Sequence, residues 1–186
     1  MKGMVIKMKA TGIVRRIDDL GRIVIPKEIR RSLRIREGEP LEIFTDKEGG
    51  VVFKKYSPIG EVGEFTMQYA EAINKSSGIP VAICDLDNII AVAGVSKKDY
   101  LEKPISSQMS NLLERRQIYT STSNVDELSI TEDSEGRVSY LSPIISEGSV
   151  VGAVMALKSS EKPLSDETDK KLINTGALFL SKQLEV

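Results

Sequence analysis

Arginine is the chemistry-bearing residue of this chain. It is concentrated where the sequence reads KATGIVRRIDDLGRIVIP from Lys9 to Pro26 and continues directly as KEIRRSLRI. A guanidinium offers a planar fork of donors that fits phosphate oxygens or a guanine edge, and it stays protonated across the physiological range. Residues 1–55 hold 14 Lys and Arg against 8 Asp and Glu, a net of +6, whereas residues 56–186 hold 12 against 19, a net of −7. The formal charge of −1 thus hides a basic module joined to an acidic one. That is the pattern of a nucleic-acid-binding head with a separate assembly or sensor body, although charge asymmetry alone would also fit a solvated charged face.

Other chemistry is poorly represented. Asp85 with Asp87, and Glu132 with Asp133 and Glu135, are the carboxylates to weigh as metal ligands. Neither group has the regular spacing and turn glycine of a calcium loop and no histidine exists to join them, so no metal and no cofactor are expected. The absence of histidine also removes the usual general base. A single cysteine rules out an intrachain disulfide, a CxxC pair and a cysteine-built zinc site, and Cys84 in Val81-Ala82-Ile83-Cys84 reads as a buried small hydrophobe. No Walker loop or nucleophile elbow occurs, and a non-enzyme is expected. No apolar run approaches the ~20 residues needed to cross a bilayer. The opening MKGMVIKMK lacks the apolar stretch and cleavage pattern of a secretory signal, so a cytoplasmic protein without a membrane partner is expected.

The arginines need elements to hold them. Thr11 to Ile17 reads as a β-branched strand closed by the turn Asp18-Asp19-Leu20-Gly21, and Arg22 to Ile25 as a second strand. Ile23-Val24-Ile25 does not alternate with polar residues, so this strand is expected to be covered on both faces. Pro26 opens a helix to about Leu33 with Ile29 and Leu33 on one face, leaving Arg30, Arg31 and Arg34 off the stripe. Strands Leu41 to Thr45 and Val51 to Tyr56 follow, joined by Asp46-Lys47-Glu48-Gly49-Gly50. Four short strands and a two-turn helix make a poor solitary core, since a domain of ~60 residues buries only ~60% of its unfolded surface. The missing burial points to a second copy of the chain.

The run TGIVRRIDDLGRIVIPKEIRRSLRIREGEPLEIF resembles the swapped-hairpin DNA-binding domain of the AbrB-type transition-state regulators, from Met8 to about Tyr56 without a gap. The GIVR strand, LGR turn, IVIP strand end and EIRR helix occur in family order. The continuation YSPIGEVGEF and CDLDNIIAVAGVSKKDYL resembles the branch of that family that controls gene expression during spore formation. The resemblance implies an intertwined dimer in which hairpins of two chains form one β-barrel, with double-stranded DNA as the partner and a tetramer as the assembly. Carried over residue by residue, it implies DNA contacts at Arg15, Arg22, Arg30 and Arg31, supported by Lys9 and Arg16. Most such contacts go to phosphates, so positioning and shape readout are expected to outweigh base reading. Arg22, Arg30 and Arg31 are expected to point outward and unpaired. Strand alternation leaves open which of Arg15 and Arg16 faces out, since Arg15 shares parity with Ile13 and Ile17 and Arg16 with Val14. The bland reading is that Arg30 and Arg31 solubilise a helix and Arg22 pairs with Asp18 or Asp19. Residues 1–7 fall outside the resemblance, as a different initiation site or an arm.

After a linker at 57–60, the acidic residues 61–186 read as an α+β domain with an antiparallel sheet. A helix over Glu61 to Ser76 is expected, then strands Val81 to Asp85 and Ile89 to Ala93, a helical region from about Pro104 to Arg116, strands Val138 to Ile145 and Val150 to Leu157, and a last helix capped by Ser165. Its order resembles the GAF sensor fold. That likeness implies a small molecule of unidentified kind between the sheet and covering loops at Ala93 to Tyr100 and Thr120 to Arg137, though the loop SNVDELSITEDSEGR also reads as a plain connection. The function expected is a DNA-binding regulator of sporulation genes whose second domain assembles dimers. The competing readings are an antitoxin, because related swapped-hairpin domains cap toxins, and a methionine sulfoxide reductase of the GAF type, which would need several cysteines.

Overall fold

The structure is a computed structural model that describes residues 12–122, 127–161 and 164–185. The chain divides into two compact units, residues 1–56 and 57–186.

In the first unit a short helix, α1 (Lys27–Ser32), precedes a hairpin of β1 (Leu41–Thr45) and β2 (Val51–Lys55). The strands pair antiparallel in the register Leu41 to Lys55, Ile43 to Phe53 and Thr45 to Val51. The connecting loop is fixed by Asp46, whose Oδ1 accepts the backbone N–H of Glu48 at 2.9 Å and of Gly50 at 2.6 Å.

Residues 12–17 and 22–25, expected as strands, are not strands here. Ladder hydrogen bonds make a strand, and neither segment has a neighbouring strand to supply them among the described residues. Their side chains are correspondingly uncovered: Val14 is 90% exposed, Ile17 65%, Ile23 47% and Val24 70%. Pro26 is the only buried residue among those described in this unit. The expected two-faced cover of Ile23-Val24-Ile25 is therefore absent from a single chain, which is the arrangement a hairpin awaiting a second copy would have.

The turn between these segments is nonetheless defined. Asp18 Oδ1 accepts the backbone N–H of Leu20 at 3.0 Å and of Arg22 at 2.8 Å, and Oδ2 accepts Arg22 Nε at 2.8 Å. Gly21, at φ 76°, takes the left-handed position, and its N–H donates to the Asp18 carbonyl at 3.0 Å.

The second unit begins with α2 (Pro58–Glu61) and α3 (Gly63–Ser77), followed by β3 (Val81–Cys84), β4 (Ile89–Ala93), α4 (Lys97–Tyr100), α5 (Ser107–Glu114), β5 (Tyr119–Thr120), β6 (Val138–Ser146), β7 (Ser149–Leu157) and α6 (Glu167–Gln183). Five strands form one antiparallel sheet in the order β4-β3-β7-β6-β5. Every residue of β3 is buried, because alternate side chains enter two cores. Val81, Ile83, Val154 and Ala156 pack with Ala70, Ile73, Ile173 and Leu180 of α3 and α6. Ala82, Cys84, Ala153 and Met155 pack with Met109 and Leu113 of α5 and with Ile130. Gly152 lies so close to the Cys84 carbonyl that no Cβ would fit.

Three details depart from expectation. Residues 57–60 are folded into this unit, with Ser57 Oγ accepting the Gly60 N–H at 3.2 Å and Ile59 wholly buried. The two-residue strand β5 carries too short a pattern to be read from sequence. The last helix is capped by Asp166, whose side chain accepts from Thr168 and Asp169 in a capping box, while Ser165 Oγ lies 2.7 Å from Ser139 Oγ. Asp166 wins because its carboxylate reaches two backbone donors at once.

Two outcomes follow from the first unit. A fragment of residues 8–56 is expected to fold only as a dimer, so its melting temperature should rise with concentration, and a folded monomer by sedimentation would contradict this. The Asp18 carboxyl is held below its ordinary value, first by the Arg22 backbone N–H and then by the Arg22 guanidinium. A depressed carboxylate contributes stability that is present above its unfolded value, ~3.9, and lost as pH falls through the lower folded one. Carboxyl titration by NMR should place Asp18 below that value, with Arg22→Ala returning it only partway because the backbone donors remain.

Candidate nucleic-acid interface

Five basic residues of the first unit, Lys27, Arg30, Arg31, Arg34 and Arg36, gather on and just beyond α1. Pro26 precedes the helix with φ −57° and ψ 147°, and Arg30 N–H bonds back to its carbonyl at 2.9 Å. Six helical residues cannot bury a stripe, and none of α1 is buried. Lys27, Arg30 and Arg31 recur at the three- and four-residue spacing that shares a helix face, and the cations of the last turn favour the helix C-terminus.

The helix ends in a Schellman pair of hydrogen bonds, Arg34 N–H to the Arg31 carbonyl at 3.2 Å and Ile35 N–H to the Arg30 carbonyl at 2.7 Å. Lys55 on β2 donates its Nζ to the Arg34 carbonyl at 2.6 Å and lies 3.3 Å from Glu39, whose Oε2 accepts the Arg36 N–H at 2.7 Å. The hairpin thus anchors the backbone from which the arginines project. Lys27, Arg30, Arg31, Arg34, Ile35 and Arg36 line a depression of about 340 Å³. Five of these six are cationic and none is acidic.

Among the expected contact residues, Arg30 and Arg31 lie together on this depression, and their side chains make no ion pair among the described residues. Arg15 and Arg16 are both exposed on the extended 12–17 segment, away from any ladder that would decide which faces inward. Lys9 lies outside the described residues. Arg22 departs from the expectation of an unpaired side chain: it is bound to Asp18, an exposed pair that uses Nε and leaves the terminal nitrogens of the fork. An exposed pair of this kind contributes little to stability and can be exchanged for another anion. Sequence reasoning omitted Lys27, Arg34 and Arg36 from the site, although the 27, 30, 31, 34 spacing was there to be read.

The second unit offers different chemistry. Two of its candidate carboxylates have structural roles: Asp85 accepts from Asp87 N–H at 2.8 Å, Asn88 N–H at 2.6 Å and Ser57 Oγ at 3.0 Å, and Glu132 accepts the Ser107 N–H at the start of α5 at 2.7 Å. Burial pushes the Cys84 thiol up, with the neighbouring Asp85 charge adding to it, so a thiolate is disfavoured. Residues 127–137 are packed rather than loose: Ile130 is fully buried, and Ser106 donates N–H and Oγ to the Ile130 and Ser129 carbonyls at 2.9 and 2.7 Å. Beside α5 lies a cavity of about 630 Å³ whose walls include Asn111, Arg115, Tyr119 and Arg137. On the opposite side of the sheet Tyr69 of α3 stacks on Phe179 of α6 at 5.5 Å, with Phe65 and Leu178 exposed nearby in sequence. No helix among the described residues is long and apolar enough to cross a membrane.

Known proteins resemble the chain in both units. Residues 61–185 match the family "Stage V sporulation protein T C-terminal, transcription factor", and residues 14–61 match "Antidote-toxin recognition MazE, bacterial antitoxin". Stage V sporulation protein T of Bacillus subtilis (strain 168) is 49% identical over 179 residues, which span 96% of this chain and 99% of that protein. Transition state regulatory protein AbrB of the same organism is 40% identical over 89 residues, covering 44% of this chain and 92% of that protein. Among solved structures, the GAF domain from Acinetobacter phosphoenolpyruvate-protein phosphotransferase superposes with a TM-score of 0.52 at 12% identity, over 68% of this chain and 87% of that one. That last likeness concerns the fold alone: an antiparallel sheet between helices, of the GAF kind. An AbrB-like basic unit followed by a GAF-like unit, matched along nearly its whole length by one relative, makes this chain a member of the stage V sporulation protein T family.

Proposed function

We propose that this chain is a DNA-binding transcription regulator of sporulation genes, acting as an intertwined dimer through residues 8–56 and as a tetramer through its GAF-like unit. The observation that carries the reading is the depression at the end of α1, where five cations and no carboxylate line one surface. A phosphate backbone is the partner such a surface attracts, because each neutralised phosphate releases condensed counterions. Arg15, Arg22, Arg30 and Arg31 are the principal DNA contacts of this reading, with Lys9 and Arg16 in support. The uncovered apolar side chains of residues 13–24 give the dimer its driving force.

The antitoxin reading draws on a match confined to residues 14–61. The 61–185 match to a transcription-factor domain favours regulation of genes over capture of a toxin. Catalysis has no support in the chemistry: the lone thiol is buried and no histidine is present. A cytoplasmic location follows from a DNA partner.

Assembly into tetramers is assigned to the outer face of α3 and α6. Tyr69 is half-buried against Phe179 and Gly176, so Phe65 and Leu178 are the residues left to meet a second copy. A small-molecule signal is assigned to the cavity beside α5. The Met109, Leu113 and Ile130 side chains already fill the inner face of the sheet.

Affinity for duplex DNA is expected to fall steeply with salt, by a log–log slope of about −0.9 per phosphate neutralised. Replacing Arg30 and Arg31 together by alanine should weaken binding by about tenfold or more, with circular dichroism unchanged. A salt-independent affinity, or full binding by the double variant, would sink the proposed interface. For the assembly, Phe65→Glu with Leu178→Glu should give dimers by sedimentation that bind long duplexes more weakly than the parent, since a second head no longer gains from effective concentration. Tetramers that persist in this variant would reject the face.

A further inference from the structure

We propose that Arg34 is an additional DNA-phosphate contact, held in an unfavourable backbone conformation for that purpose. This rests on the reading of the first unit as a DNA-binding head. Arg34 occupies the residue after the C-cap of α1 with φ 53°, inside the left-handed region where a side chain crowds the backbone and glycine is the usual occupant. Nothing in the local hydrogen bonding requires an arginine. The bond from Arg34 N–H to the Arg31 carbonyl and the Lys55 Nζ contact use the backbone of residue 34, which glycine would supply equally well, and the bond from Ile35 N–H to the Arg30 carbonyl involves no side chain at all.

A left-handed arginine is not by itself a sign of function, since Arg116 takes the same place after α5 with φ 56°. The surroundings separate the two. The Arg34 side chain joins Lys27, Arg30, Arg31 and Arg36 around one depression that has no acidic lining residue. A fifth cation among four others raises their mutual repulsion in the free protein, and an anion in the depression offsets that repulsion by attracting each of the five. The geometry around it is also fixed in advance. Lys55 clamps the Arg34 carbonyl from β2 and Glu39 holds both Lys55 and the Arg36 N–H, so little order has to be gained on binding. The ligand class is a phosphodiester of duplex DNA, read for its charge and not for its base.

The test is Arg34→Gly in the full chain, because glycine suits the backbone and removes only the side chain. Its melting temperature should equal or exceed that of the parent, while affinity for duplex DNA falls by about three- to tenfold on any sequence, with the log–log salt slope shallower by about 0.9 for each Arg34 engaged. Arg34→Lys should recover most of the affinity, since a phosphate contact asks mainly for charge. Unchanged affinity and slope in Arg34→Gly, with the Arg30 and Arg31 double variant impaired, would overturn this inference and leave the DNA-binding reading standing. If the double variant also bound normally, the functional reading itself would fail. A melting temperature below that of the parent would overturn the claim that the side chain is there at a cost to the fold.

Discussion

Burial, or the want of it, governs this molecule. Residues 12–56 expose Val14, Ile17, Leu20 and Val24 and bury only Pro26 among those described, so the hydrophobic effect cannot hold the unit together within one chain. The second unit has the opposite property, with a five-stranded sheet buried on both faces. Apolar burial is therefore concentrated in the second unit, while the first keeps uncovered apolar side chains that the proposed dimer would enclose. On that reading, a head completed by two copies presents its arginines in symmetric pairs, which suits a duplex with two strands and a repeating backbone.

Electrostatics adds a second constraint to the same segment. Cations gathered at the end of α1 repel one another, and the chain tolerates this by tying their backbone down and not by neutralising their side chains. Lys55 reaches a carbonyl, Glu39 reaches Lys55 and a backbone N–H, and the Arg30 and Arg31 guanidinium groups stay outside the ion-pair network. The Asp18 turn follows another rule, because its carboxylate serves two backbone N–H groups as well as Arg22. Removing the guanidinium leaves the turn with its backbone bonds, so Arg22 can leave Asp18 for a phosphate at small cost.

Much of this was legible in the sequence, for reasons that can be named. The β1 and β2 hairpin was readable because Asp46 and Gly49-Gly50 are turn residues between β-rich runs, and β3, β4, β6 and β7 were readable as apolar runs separated by Asp87-Asn88 and Glu147-Gly148. Arg30 and Arg31 were readable from helix spacing. What escaped was decided by tertiary context. Ser57–Gly60 looks like a linker, yet Ile59 is drawn into the core beside α3. Asp166 displaced Ser165 as the cap because capping depends on where the helix axis enters, and Ser165 had a partner across the sheet in Ser139. The 12–17 and 22–25 segments follow the strand pattern in sequence and lack its ladder in a single chain, since pairing is a property of two segments and not of one. The position of Arg34 off the apolar stripe was readable, whereas its left-handed backbone was not, because that conformation at a non-glycine residue leaves no compositional trace.

The second unit covers the two faces of one sheet in different ways. A sheet with two faces needs two covers, and here the covers differ in kind. One is a pair of long helices, α3 and α6, that approach closely enough for the Tyr69 ring to lie against Gly176, where no Cβ would fit. Its outer surface keeps aromatic and leucine side chains, Phe65, Leu178 and Phe179, that the core does not use. The other is an eight-residue helix, α5, to whose start residues 129–132 are tied by two bonds from Ser106 and one from Ser107. The two covers present different outer surfaces, aromatic and leucine side chains on one and a cavity lined mostly by polar residues on the other, and this is the division that the proposed assembly and small-molecule sites would use.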